Sequence, residues 1–107
     1  MAARRRRVVW TSNARTALDE VLVHIAEESL VGAQRILHAA LDLATSLETL
    51  SERGRLVPEI ASPTIREVFV YRYRMLYEVG ASEVRILAFL HGARDFAEWK
   101  RSQSGAG

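Results

Sequence analysis

The stretch that decides the fold runs from residue 65 to 90, "IREVFVYRYRMLYEVGASEVRILAFL". Three segments, "IREVFV", "YRMLYEV" and "VRILAFLH", the last running one residue past this stretch, are rich in β-branched and aromatic residues. "GAS" at 80–82 is a turn signal between the second and third. The reading is three antiparallel strands. In the second, Tyr73, Met75, Tyr77 and Val79 alternate with Arg74, Leu76 and Glu78, the period of a half-buried strand. "ILAFL" at 86–90 is continuously apolar, so the last strand is expected to lie at the centre of the sheet.

Toward the N-terminus the period changes. Pro58 and Pro63 bar a helix across residues 58–63, and Gly54 is a stop signal for a helix before it. Ala33, Ile36, Leu37, Ala40, Ala44 and Leu47 repeat at helical spacing behind Ser29, a side chain able to cap an N-terminus. Leu18, Val21, Leu22 and Ile25 form an earlier stripe at i, i+3, i+4 and i+7, with Thr11 or Ser12 as its cap. The short link at 28–30 makes the two helices an antiparallel hairpin. Before them "VVW" suits a short strand, preceded by Arg4 to Arg7 as part of a solvated basic arm over 1–7. After the strands, "ARDFAEWK" suits a short terminal helix, with a frayed tail at 102–107. The order predicts one α+β domain over 1–107: an N-terminal strand, then a helix hairpin on one face of a small, mainly antiparallel sheet, then a short C-terminal helix. The other face would be open, and Arg66, Arg74 and Arg94 would gather on it or at its rim.

Composition fits that domain. With 107 residues, 49% hydrophobic and 26% charged, the chain can bury one modest core. The absence of cysteine excludes disulfides and thiolate metal sites and suits a reducing cytoplasm. "MAARRRR" has the charge that opens a signal peptide, but no apolar core of the usual length comes after it, so neither export nor a membrane span is expected. A net charge of +2 with clustered arginines admits an anionic partner without requiring one. No two of His24, His38 and His91 have a metal-ligand spacing, and His24 and His38 fall off the apolar stripes of their helices. The sequence has no G-x-S-x-G elbow and no glycine-rich phosphate loop, so no cofactor is implied.

The remaining candidate is "LHGARDF" at 90–96. It reads in two ways. His91 could move a proton while Arg94 steadies a phosphate and Asp95 orients the imidazole. Alternatively His91 is the polar end of a strand, Gly92 makes the turn, Arg94 and Asp95 cap the next segment, and Phe96 returns to the core. Tyr71, Tyr73 and Tyr77 alternate with arginines; Tyr77 reads as core, and Tyr71 is open between core and a stacking surface.

"REVFVYRYRMLYEV" with "VRILAFLHGARDF" after it, behind "SNARTALDEVLVHIAEES" and "GRLVPE", resembles the ParE branch of the RelE/ParE toxins of bacterial type II toxin–antitoxin systems over about residues 8 to 96. The resemblance implies a helix hairpin on a small antiparallel sheet, a cognate antitoxin wrapped over the groove between helices and sheet, and a toxin–antitoxin hetero-oligomer. For the ParE branch it implies a protein ligand of DNA gyrase. The segment including His91, Arg94, Asp95, Phe96 and Trp99 would then contact the target. The RelE branch implies instead a ribosome-dependent mRNA endoribonuclease, with His91 moving the proton and Arg74 and Arg94 holding the phosphate. The RelE tyrosine near the C-terminus and its paired lysines have no counterparts here, which favours the ParE branch. A binding module that engages antitoxin without toxicity is the third reading.

Overall fold

The architecture results from a handful of local decisions, seen in a computed structural model that describes residues 5–105. β1 (Arg7–Trp10) ends where Thr11 takes an extended conformation and accepts a hydrogen bond from the Ala14 amide, capping α1 (Ser12–Ala26). Ser29 does the same for Gly32 and starts α2 (Leu30–Ser46). Each cap satisfies one of the amides a helix start leaves without an internal partner. Next come β2 (Arg55–Leu56), β3 (Ile65–Val70), β4 (Tyr73–Val79), β5 (Glu83–Leu90) and α3 (Gly92–Gly105).

The sheet order is β1-β5-β4-β3-β2; β1 pairs parallel with β5 and every other pairing is antiparallel. β4 is therefore central, and β5 lies between it and β1, one place from the expected centre. One face of the sheet receives the helix hairpin: Ala14 and Leu18 of α1 and Ile36, Ala40 and Ala44 of α2 pack on Val68, Val70, Met75, Tyr77, Val84, Ile86 and Phe89. The alanines let the helices sit close to the sheet. A fully buried leucine or isoleucine in such a layer contributes about 1.5–3 kcal/mol.

Val84, Ile86 and Phe89 share that face only because of a β-bulge. The register passes from Leu76↔Ala88 to Tyr77↔Ile86, leaving Leu87 as the extra residue of β5. Strict alternation would have placed Phe89 opposite Ile86. The bulge sends Ala88 and Leu90 to the second face, where they meet Val57, Leu76 and Phe96 in a smaller core. That face is covered by α3 and the segment from Val57 to Ile60, which corrects the expectation of an open basic surface. The continuous apolar run of β5 reflects burial on both faces.

Three other expectations change. Helix α2 ends at Ser46, eight positions before Gly54. Gly54 serves a close approach: a Cβ there would lie 2.5 Å from the Glu67 carbonyl oxygen. The basic arm is anchored from Arg6, whose amide donates to Glu48 O (2.7 Å) and whose side chain donates to Gly80 O (2.8 Å) and Ser51 Oγ (3.0 Å); the first four residues lie outside the described ones. The C-terminal helix is longer than expected and includes Ser102 to Gly105; residues 106 and 107 lie outside the described ones. Among the described residues no helix is long and apolar enough to cross a membrane.

Candidate functional site

Strand β5 ends at Leu90, and two residues on the chain reverses through Gly92, whose φ of +85° is costly for any residue with a Cβ. The Asp95 carboxylate accepts a hydrogen bond from the His91 amide (3.0 Å) and places negative charge in the first turn of α3. Asp95 is thus an organiser of this corner. Arg94, its side chain 92% exposed, pairs with Glu98 one turn on, at 3.6 Å. Phe96 is buried and Trp99 half-buried, their rings 6.0 Å apart, and both face the sheet.

Arg74 lies on that second face of β4. Its Nε donates to Glu67 Oε1 (2.7 Å), and its two terminal nitrogens donate to Glu59 Oε1 (2.9 Å) and Oε2 (3.1 Å). Its guanidinium stands 4.6 Å from the centroid of the Phe96 ring, a cation–π contact. The Glu67 side chain is wholly buried and also accepts from Arg55. A buried carboxylate needs such partners, because removing its charge from water unpaired costs several kcal/mol. The Arg74 hydrogen bond holds the Glu59 carboxyl below its ordinary range, and the Glu59 and Glu67 carboxylates raise Arg74 above its own. This arginine is engaged on both edges by carboxylates and is not offered to a phosphate.

His91 is on the other side of the sheet. Its ring sits 5.0 Å from that of Tyr73, which stacks on Phe89 at 5.1 Å, and successive residues of a strand such as Tyr73 and Arg74 point to opposite faces. The three side chains of the nuclease reading are thus not brought together: His91 is on the hairpin side, Arg74 is beneath α3, and Arg94 is on the outer surface of α3.

A cleft of about 520 Å3 opens where His91 meets the hairpin, lined among others by His24, Ile25, Arg35, Ile36, Tyr71 and Tyr73. Tyr71, 64% exposed, occupies the two-residue loop between β3 and β4 with φ of 54°, a left-handed conformation that a tyrosine adopts at some cost. This answers the question left open by its sequence position: Tyr71 is a surface aromatic, while Tyr77 is core. Sequence reasoning missed Glu59 and Glu67 altogether. For Glu67 a signal existed, since it is a carboxylate in a strand whose other residues, Arg66 apart, are apolar; Glu59 carried none.

A chain described as from the chromosomal ParDE TA system of P. aeruginosa superposes with a TM-score of 0.67 at 17% identity, over 85% of this chain and all of that one. The YoeB dimer structure from Staphylococcus aureus gives a TM-score of 0.58 at 10% identity, over 83% of this chain and 99% of that one. At these identities both similarities concern the fold. No curated protein matches the chain at a significant level. The family model for the ParE toxin of the type II toxin–antitoxin system, parDE, matches residues 8–96, which is most of the chain and carries both the hairpin and the strand-to-helix corner, so the protein belongs to the ParE toxin family.

Proposed function

We propose that this ParE-family toxin acts as a protein ligand that poisons DNA gyrase, and that a cognate antitoxin neutralises it. The observation that carries the choice of target is the separation of His91 from Arg74 across the sheet, together with the engagement of Arg74 by two carboxylates. A phosphodiester-cleaving site needs its proton carrier and its phosphate ligands within reach of one scissile bond. A protein ligand needs only a presented surface. In this reading that surface is the corner of His91 and Asp95 with the outer side of α3, where Arg94 projects. Phe96 and Trp99 act from beneath, by holding the helix. The antitoxin takes the cleft between the hairpin and the Tyr71 loop, where Ile25, Ile36 and two tyrosine rings supply apolar area and Arg35 and Arg72 supply charge.

Purified toxin tested on gyrase supercoiling, and in parallel on translating ribosomes, decides the target. The expected result is loss of supercoiling with accumulated gyrase–DNA cleavage complexes and intact mRNA. Unchanged gyrase activity at growth-arresting concentrations overturns the proposal; mRNA cleavage that disappears in His91→Ala establishes the endoribonuclease instead. Inducible expression without growth arrest, with antitoxin binding retained, would identify a binding module lacking toxicity.

A further inference from the structure

We infer that Arg74 is the positioning residue of the C-terminal helix: through Glu67, Glu59 and Phe96 it sets the rotation of α3 about its own axis, and so decides which side chains the helix presents outward. The functional half of this inference rests on the gyrase reading above; the structural half does not.

The geometry is a chain of contacts that starts in the middle of the sheet. Glu67 of β3, wholly buried, fixes the Nε edge of Arg74 on the neighbouring strand β4. The other edge of the same guanidinium is gripped at two points by the Glu59 carboxylate, which immobilises the segment ahead of β3. From this platform two contacts reach α3. The face of the guanidinium packs on the Phe96 ring at 4.6 Å, and the Glu59 carbonyl accepts a hydrogen bond from Lys100 Nζ at 3.1 Å.

Phe96 and Lys100 are four residues apart, so they stand one above the other on one side of the helix. Two points one turn apart on one side define the helix's rotation, where a single apolar contact would not. Arg94, Ala97, Glu98 and Arg101 are all exposed. Trp99 adds apolar contact beneath the helix but no polar register, its indole Nε1 being buried with no hydrogen-bond partner among the described residues. The apolar layer under α3 is small, consisting of Val57, Leu76, Ala88, Leu90 and Phe96 with Ile60, Ile65 and Trp99 at its edge. Non-directional burial of that size leaves orientation to the directional contacts.

The test avoids Arg74→Ala, which leaves Glu67 buried with one partner fewer and threatens the fold. Glu59→Gln removes a partly exposed carboxylate and weakens the two-point grip. Arg74→Lys keeps the charge but cannot bridge two carboxylates in a plane. Both variants are compared with Glu59→Asp, which retains the carboxylate, by hydrogen exchange, denaturant unfolding, antitoxin affinity and gyrase inhibition. The expected result for Glu59→Gln and Arg74→Lys is exchange of the amides of 96–103 faster by ~10-fold. The midpoint of global unfolding stays at the wild-type value and the antitoxin affinity within ~2-fold of it, the inhibitory concentration against gyrase rises ~10-fold, and Glu59→Asp stays nearer to wild type. A merely structural role would move the unfolding midpoint and all segments together, and that outcome overturns the inference. So does unchanged exchange in α3. Faster exchange in α3, in a protein whose wild type never affects gyrase, upholds the positioning role and removes the gyrase reading alone.

Discussion

A Cβ built on Gly54 would lie 2.5 Å from the Glu67 carbonyl oxygen and 2.6 Å from the Tyr77 hydroxyl, and the first of these is backbone that cannot swing away. The Gly54 amide donates to that same hydroxyl at 2.9 Å, so the phenol of the most deeply buried tyrosine depends on this approach. Gly54→Ala is therefore expected to destabilise the fold by about 1–3 kcal/mol, the usual cost of forcing an extra methyl into a packed site, measured by urea unfolding. Tyr77→Phe leaves the buried amide unsatisfied and should cost about 1–3 kcal/mol at neutral pH. Its pH dependence carries a sign. Burial holds the Tyr77 phenol above its ordinary value of 10.0, so the unfolded chain ionises first. The stability due to the neutral phenol is complete below about pH 10 and is lost as pH rises from there through the folded value. Above pH 10 the difference between wild type and Tyr77→Phe should narrow; a constant difference would show that the phenol is not buried. The sequence marked Gly54 as a point of punctuation and Tyr77 as core. That the two residues touch depends on pairing over 23 positions, which no local pattern encodes.

At the scale of elements, the helices were legible because their signal is local: an apolar stripe at i, i+3, i+4 and i+7 is set by residues within two turns. The second face of the sheet was not. Whether Phe89 or Ala88 faces the hairpin depends on the bulge at Leu87, and the bulge exists only in the pairing of β5 with β4. The cover over that face, α3 with the Glu59 segment, depends on an arginine–carboxylate contact across 15 positions. This contact carries a pH prediction. The Arg74 hydrogen bond lowers the Glu59 carboxyl below its ordinary 4.5, so its contribution is present above that value and disappears as pH falls through the folded value. Solvent screening of the partly exposed Glu59 side chain keeps the effect on global stability small. The sensitive observable is local: acidification below pH 4.5 should open α3 to hydrogen exchange before β4 and β5, and Glu59→Gln, whose α3 already exchanges faster at neutral pH, should abolish this acid dependence. Simultaneous opening of helix and strands in wild type would count against it.

For the whole molecule, the two faces of the sheet have separate tasks. The hairpin face holds the main core and, at its edge, the cleft of His24, Tyr73 and His91; the other holds the smaller core and the helix proposed to meet the target. An antitoxin bound in the cleft should protect the amides of residues 24–36 and 71–73 from exchange, with α3 protected less. At a hundredfold excess over its Kd it should stabilise the fold by about 2.7 kcal/mol, read as a raised Tm. Protection confined to α3 would place the antitoxin on the wrong face. The sequence by itself determined the order of the helices and the four longer strands, though not the two-residue β2, together with the capped helix hairpin, the α+β class and the likeness to a toxin family, because propensity, period and capping are properties of neighbouring residues. Only the tertiary structure decided that β1 joins β5 in parallel, that α3 closes the second face, and that Arg74 serves the fold while His91 lies across the sheet from it. Those outcomes turn on which distant carboxylate, ring or strand edge a residue meets, and burial makes such pairings strong only after the chain has brought them together.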